Sequence, residues 1–360
     1  MLEIKYELKP QRKKEQFVSD KSLGFGLLRT DHMFLMDYSD GKWHSARIIP
    51  YQELNLFPGA VSLHYGQNIF EGLKAFKHKD REIYTFRIDK HAERFNNSAE
   101  ALCMPKISIE DQIQAIHSLV DIDRNLFPEV KDASFYIRPF MFGTQDCLGV
   151  KPSNTYTYCV IISPSGSYYP QGFHPIKLLI TKQFHRAAPG GIGNAKTGGN
   201  YAASLRAAVK AASFSAKQVL YTDVNNKTIE EAGAMNHFHV TKDREIIIPK
   251  FTDTILKSVT STSIIELASR LGCKVKQETI YLDEFIKGIN NGFVTEAGGL
   301  GTAAVVSPVG TYVFDDGKEL IVGNGEAGPI TRKMYNLFTA IQIGEEKAPE
   351  GWLKKVQRKL

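Results

Sequence analysis

A single lysine set among glycines, with an alanine-rich stretch after it, is where this sequence first suggests chemistry. Residues 187–201 read Ala-Ala-Pro-Gly-Gly-Ile-Gly-Asn-Ala-Lys-Thr-Gly-Gly-Asn-Tyr, which places Lys196 close to the middle. Three readings compete. The first is a phosphate loop, because Gly190–Thr197 approaches the Walker A spacing, in which backbone amides at a helix start cradle a phosphate. Against it, Ala195 stands where that pattern needs glycine, and Gly198-Gly199 should break the helix that must begin there. No apolar strand runs directly into Gly190 either. The second reading is a solvated lysine on a flexible loop, the ordinary fate of a loop lysine. The third is a lysine that forms a Schiff base, which needs a desolvated amine of lowered pKa. Its backbone must also approach a flat ring closely, and glycines on both sides permit that. The local pattern leaves the second and third readings open.

Other reactive residue types give less. Cys103, Cys147, Cys159 and Cys273 lie far apart with no C-x-x-C pair. The expectation is reduced thiols, with no metal site and no disulfide framework. Glu230-Glu231 reads by itself as a solvated acidic pair, and His237 and His239 as core or edge residues of a strand.

The elements that must position the lysine can be read from periodicity. Met33–Tyr38, Ile83–Ile88, Ser134–Phe140 and Tyr156–Ile162 are rich in β-branched and aromatic residues and are expected as strands. Residues 90–102 and 107–119 carry apolar positions at helical spacing. Beyond a Pro/Gly/Ser-rich stretch at 163–172, strands are expected at 176–181, 218–222 and 238–241, and helices at 201–214 and 258–271. The last of these should stop at Gly272. The pattern predicts a mixed α/β chain: a small N-terminal α/β domain over 1–164, a linker over 165–176, and a larger C-terminal α/β domain over 177–360 that holds Lys196.

At 360 residues, 42% hydrophobic and 23% charged, the chain is long enough for two domains and has ordinary globular composition. Its net charge of +6 is mild. The basic runs sit at the ends, Lys9–Lys14 and Lys354, Lys355, Arg358 and Lys359, and read as solvated termini rather than a nucleic-acid arm. No signal-peptide core follows Met1 and no run nears the length of a membrane span. A cytoplasmic protein with no nucleic-acid or membrane partner is expected.

Several segments in order then carry a resemblance. Residues 195–204 (Ala-Lys-Thr-Gly-Gly-Asn-Tyr-Ala-Ala-Ser), 63–76 (Leu-His-Tyr-Gly-Gln-Asn-Ile-Phe-Glu-Gly-Leu-Lys-Ala-Phe), 135–140 (Phe-Tyr-Ile-Arg-Pro-Phe) and 231–236 (Glu-Ala-Gly-Ala-Met-Asn) are four of them. Thr30–Met33, Gly301–Ala303 and Ile330–Tyr335 fall in the same order. Over roughly residues 20–345 the chain resembles branched-chain amino acid aminotransferases, of the fold-type IV pyridoxal-phosphate class related to D-amino-acid aminotransferase. The resemblance implies pyridoxal 5′-phosphate as cofactor, with Lys196 its Schiff-base lysine and the general base that moves the substrate's Cα proton. It also implies Glu231 at the pyridine nitrogen, Tyr201 at the 3′-oxygen, and Arg94, Val259, Thr260 and Thr302 at the phosphate. Phe25, Tyr65, Phe70, Tyr136, Arg138 and Tyr168 would form the substrate pocket or its polar rim, and Ala303 would offer its amide to the substrate carboxylate.

The implied reaction is ping-pong transfer of an amino group from leucine, isoleucine or valine to 2-oxoglutarate, by a homodimer to which Tyr65 or its neighbours contribute across the interface. Some positions depart from the family pattern: Lys257-Ser258 and Ser261 near the phosphate helix, Asn68 in the early signature, and Ile192 and Asn194 beside the lysine. Ala304 and Ser307 leave no C-x-x-C in that region. The alternatives are a same-fold transaminase or lyase acting on another substrate (a D-amino acid, aminodeoxychorismate or a secondary-metabolite amine), a non-catalytic relative, and a nucleotide-binding protein that uses Gly190–Thr197.

Overall fold

Ile88, Ala92, Phe95 and Ala99 follow one another by four, three and four residues, so in a helix they share one face. In the helix Ile88–Ala101 all four are buried. His91, Arg94 and Ser98 form a second buried row on the same helix, turned by about 100° from the first. The neighbouring helix Ile109–Ile122 is started by Ser108, whose hydroxyl accepts the Asp111 amide at 3.1 Å. Both helices bury their apolar rows in one core with Phe34, Ile48, Phe135, Ile137, Tyr158 and Val160 of a sheet.

The computed structural model describes residues 1–9, 23–130, 132–166 and 172–358. Two units are seen, Met1–Pro170 with Ala195–Gly198 and Ile341–Leu360, and Gln171–Asn194 with Gly199–Ala340. In the first, the described residues form a nine-stranded sheet. Its order is Lys5–Tyr6, Lys42–Pro50, His32–Ser39, Tyr156–Ser165, Ser134–Gly143, Leu73–Lys77, Ile83–Phe86 and Leu353–Lys355, with Asn68–Phe70 also paired to Ser134–Gly143. A linear division near residue 165 does not anticipate the two returns to this unit. The C-terminal return pairs Leu353–Lys355 with Ile83–Phe86, and the short one bridges Thr197 to Ile69.

Strand alternation sends Phe135 and Ile137 into the helix-covered core and leaves Tyr136, Arg138 and Phe140 for the other face. Phe70 opposes Phe140, and Lys74 opposes Tyr136, so these side chains share that second face. The strand expected at Ile83–Ile88 ends at Phe86. Arg87 takes a left-handed φ of 50° and its amide bonds the Trp352 carbonyl at 2.7 Å, and Ile88 already opens the helix.

In the second unit the described residues form another nine-stranded sheet. The path Ile229–Ala232, Gln218–Thr222, Ile176–Ile180, Val305–Phe314, Val294–Gly301 and Met235–Thr241 returns to its start, since Met235–Thr241 also pairs with Ile229–Ala232. Two helices differ from expectation. The stretch expected over 201–214 is divided into Gly198–Ala202 and Leu205–Ser213, with Ser204 folding its hydroxyl back to the Tyr201 carbonyl at 2.6 Å. Gly198 and Gly199 therefore open a helix that they were expected to break. The helix expected over 258–271 runs as Val259–Glu266 and Ala268–Leu271, closed by Gly272 at φ 65° as its sequence predicts. No helix among the described residues is long and apolar enough to cross a membrane.

Candidate active site

Lys196 is held by both its backbone amide and its carbonyl within the first unit. Its amide donates to Ser98 Oγ at 2.8 Å, and its carbonyl accepts the Phe70 amide at 3.0 Å. Next to it, Thr197 Oγ1 donates to the Asn68 carbonyl at 2.8 Å, and the Gly198 amide donates to Asn68 Oδ1 at 3.2 Å. Asn68, a departure from the family pattern, thus grips the lysine segment with both its backbone and its side chain. A Cβ on Gly198 would overlap Asn68 Oδ1, so glycine is needed there for close approach. With the main chain fixed, the half-buried Lys196 places Nζ 4.7 Å from the Phe70 ring centroid. An ammonium over an aromatic face at that distance is a favourable contact.

The second row of the helix Ile88–Ala101 supplies the charges beside it. Glu71, 1% exposed, receives Arg94 Nε at 2.7 Å and Arg94 Nη2 at 2.6 Å, and His91 Nδ1 lies at 3.2 Å. Burial opposes the Glu71 charge, but Arg94 and His91 outweigh it and hold the carboxyl well below the ordinary glutamate range. Burial likewise lowers His91 against the pull of Glu71, and the charge of Lys196 adds to that lowering. The paired guanidinium is a planar fork suited to an oxyanion.

Aromatic residues of the first unit make a chain of ring contacts that ends at the lysine. Phe25 meets Tyr136 edge-on, with centroids 4.7 Å apart. Arg138 lies over Phe70 at 4.8 Å and over Tyr136 at 5.3 Å, and its Nη2 donates to the Tyr136 hydroxyl at 3.1 Å. Arg138 Nε is buried with no hydrogen-bond partner among the described residues. Gly72 lies so near the Tyr136 hydroxyl that a Cβ there would overlap it. Lys74 is buried on this face, and burial lowers its ammonium to about 8.

In the second unit Glu231 is 3% exposed, takes the Leu256 amide at 2.9 Å and lies 3.5 Å from Arg186 Nη2. Its cross-strand neighbour Asn236 donates to the Leu256 carbonyl at 2.9 Å and accepts Ser261 Oγ at 2.8 Å. Leu256 is clamped by both groups of its peptide, which fixes the approach to the helix Val259–Glu266. Ser258 caps that helix by accepting the Ser261 amide at 3.2 Å. The departures Ser258 and Ser261 therefore supply the cap and the anchor of this turn. Val259 and Thr260 occupy the first turn, where backbone amides have no partner within the helix.

Of the expected site residues, Lys196, Phe70, Tyr136, Arg138 and Phe25 are linked in this way, with Arg94 one turn along the helix from Ser98. Glu231 is tied to the start of the Val259–Thr260 helix. Tyr201 lies on the short helix after the lysine, and half-buried Thr302 and Ala303 follow the strand Val294–Gly301. Tyr65 is 43% exposed and gives its hydroxyl to the Leu148 carbonyl, away from the Lys196 contacts. Tyr168 lies outside the described residues. Glu230 and Glu231 are both buried, contrary to the solvated pair that the bare sequence suggests, because their strand closes the ring of strands. The phosphate-loop reading of Gly190–Thr197 meets a carboxylate: the Gly190 amide donates to Asp253 Oδ2 at 2.7 Å. Glu71, His91, Ser98, Lys74, Arg186 and Asn236 were not singled out in the sequence. The i, i+3, i+7 spacing of His91, Arg94 and Ser98 was a signal for the first group.

Known proteins resemble this chain over most of its length. Residues 68–308 match the family described as amino-transferase class IV. The chain is 44% identical over 336 residues to branched-chain-amino-acid aminotransferase 2 of Bacillus subtilis (strain 168), covering 93% of this chain and 92% of that one. It is 42% identical to a probable branched-chain-amino-acid aminotransferase of Staphylococcus aureus (strain MRSA252), with 97% of each covered. Among solved structures, the Escherichia coli branched-chain amino acid aminotransferase aligns with a TM-score of 0.74 at 27% identity, over 91% of this chain and 99% of that one. The T.th. branched-chain amino acid aminotransferase with pyridoxamine 5′-phosphate aligns with a TM-score of 0.74 at 28% identity, over 89% and 98%.

Proposed function

The chain belongs to the class IV amino-transferase family, and from that premise we infer that it is a branched-chain amino acid aminotransferase dependent on pyridoxal 5′-phosphate. It transfers the amino group of leucine, isoleucine or valine to 2-oxoglutarate. The observation that carries the reading is the fixed backbone of Lys196, which delivers one amine to the face of Phe70 beside the buried Arg94–Glu71 pair.

The residues present suit the cofactor. Glu231 is a buried carboxylate able to accept from a protonated ring nitrogen, and Val259 and Thr260 offer first-turn amides to a phosphate. Arg138 Nε is a buried donor still lacking an acceptor among the described residues. When bound, pyridoxal phosphate supplies an electron sink for the carbanion left at the substrate's Cα. Lys196 Nζ serves as covalent anchor and as the base that takes and returns the Cα proton. Glu231, braced by Arg186 and the Leu256 amide, keeps the ring nitrogen protonated. Arg94, Thr302 and the amides of Val259 and Thr260 would hold the phosphate, and Tyr201 would hydrogen-bond the 3′-oxygen.

Phe25, Phe70 and Tyr136 exclude water and take an aliphatic side chain, while Arg138 takes the distal carboxylate in the second half-reaction. Ala303 offers its amide to the α-carboxylate, and Tyr65 serves the pocket rim across the dimer interface. The assembly is a cytoplasmic homodimer. Phe57, Leu148 and Val150, on two loops joined by the Cys147 amide at Gly59 O, are 70%, 71% and 82% exposed, and Leu63 on the helix Val61–Tyr65 is 61% exposed; such an apolar surface suits a second copy. Residues 165–176 join an N-terminal α/β domain to a C-terminal one.

A visible absorption spectrum of the purified protein tests the reading. A cofactor band that changes with leucine, isoleucine or valine supports it. A band that ignores them but responds to another amine keeps the chemistry and replaces the substrate. A protein that cannot be loaded with the cofactor overturns it.

A further inference from the structure

Glu230 stands beside Glu231 on the strand Ile229–Ala232 and is 4% exposed. Neighbours on a strand face opposite ways, so the two carboxyls meet different surroundings. Glu231 has the Leu256 amide and Arg186. Glu230 Oε1 accepts the Thr254 hydroxyl at 2.5 Å, and Oε2 is buried with no hydrogen-bond partner among the described residues. Thr254 joins the two carboxyls: its carbonyl accepts Arg186 Nη2, and its hydroxyl, braced by Thr252 Oγ1 at 2.9 Å, reaches Glu230.

Arg186 is thus paired with Glu231 and acts on Glu230 only through its charge. An ionised oxygen buried without a donor is far more costly than a neutral hydroxyl in the same place. Burial is the largest influence on Glu230 and pushes its carboxyl up, with Asp223 adding to it, while Thr254, Arg186 and His185 pull the other way.

We propose that Glu230 is a positioning residue held as the neutral acid, with its proton on Oε2, so that the charge of Arg186 is left to Glu231. This rests on the reading of Glu231 as partner of the cofactor's ring nitrogen. Ionising Glu230 as the pH rises would make Arg186 the shared counter-ion of two carboxylates, and the hold of Glu231 on the cofactor would weaken.

Infrared spectra of the protein without cofactor read the proton directly. At neutral pH the unaltered protein should show a protonated-carboxyl stretch that Glu230→Gln lacks and that Thr254→Val shifts. Its absence from the unaltered protein overturns the proposal. Cofactor affinity against pH reads the coupling. As the pH is raised until that infrared band disappears, the unaltered protein should lose about tenfold in affinity beyond any loss in Glu230→Gln, the weight of about one pKa unit. The glutamine, which mimics the neutral acid, should bind as the unaltered protein does at pH 7. Equal alkaline loss in both proteins overturns the coupling. Should Glu230→Gln fail to fold, a band in the unaltered protein that vanishes in step with cofactor release supports the proposal, and one that persists overturns it. Failure of every protein to bind cofactor sinks the functional reading and the coupling with it, while the infrared band still decides the proton.

Discussion

Replacing Glu71 by glutamine keeps the shape of a buried side chain and removes its charge. The carboxylate takes two bonds from the Arg94 fork at 2.7 and 2.6 Å, stands 3.2 Å from His91, and accepts the Gly72 amide at 2.7 Å. A glutamine would turn an amide donor toward one arm of that fork and deprive a guanidinium, 10% exposed, of the carboxylate it is paired with. Removing one partner of a buried ion pair costs about 3–5 kcal/mol, out of the ~5–15 kcal/mol that holds a typical domain folded. The folded-state pKa of Glu71 is depressed, so its contribution is complete above the ordinary value of 4.5 and is lost only as acid carries the pH down through the folded value. The difference between the two proteins should therefore hold from neutral pH to about pH 5 and narrow below it. Both tryptophans, Trp43 and Trp352, belong to the same unit as Glu71, so their fluorescence during denaturant unfolding reports on it. A loss of less than about 1 kcal/mol at neutral pH would show that Arg94 does not depend on Glu71, and would refute the argument.

Replacing Arg138 by lysine keeps a charge but loses the planar fork, so the 2-oxoglutarate half-reaction should suffer by about tenfold more than the leucine half-reaction. Half-reactions followed separately by absorbance check this, and equal losses would contradict it. Gly72→Ala pushes a methyl group against the Tyr136 hydroxyl and should raise the KM for leucine while leaving cofactor absorbance in place; loss of the absorbance instead would mean that the strain spreads beyond the pocket. Burial holds His237 and His239 below the ordinary histidine value, His239 at about 4. The unfolded chain binds their protons first, so stability is full above about pH 6.5 and falls toward pH 4, with His239 contributing up to ~3 kcal/mol of that loss. Acid unfolding of His239→Leu should be correspondingly shallower, and an unchanged pH profile would count against burial as the cause.

Local pattern made much of the fold legible. The strands around Met33–Tyr38, Ser134–Phe140 and Tyr156–Ile162 and the helix over 90–102 were readable because their apolar residues repeat at two or at three and four positions. What could not be read locally came from pairings distant in sequence. Glu230 and Glu231 look like a surface pair until Met235–Thr241 and Gln218–Thr222 enclose their strand. Leu353–Lys355 joins Ile83–Phe86, and nothing in either segment specifies the other. The split between Gly198–Ala202 and Leu205–Ser213 turns on the Ser204 hydroxyl, which competes with the helix for the Tyr201 carbonyl. At the site, family resemblance supplied the expected roles, and geometry added the residues that hold those side chains in place: Ser98, Asn68, Glu71, Arg186 and Asn236.

Two lysines compete as anchor on physical grounds. Lys74 is buried and its ammonium is lowered to about 8, whereas Lys196 is fixed by Ser98, Phe70 and Asn68 in a glycine-flanked segment. Borohydride reduction of the cofactor-loaded protein, followed by mass spectrometry of its peptides, distinguishes them. A pyridoxyl-phosphate mass is expected on the peptide that contains Lys196, and none when Lys196 is replaced by alanine. The label on Lys74, or on no lysine, would contradict it.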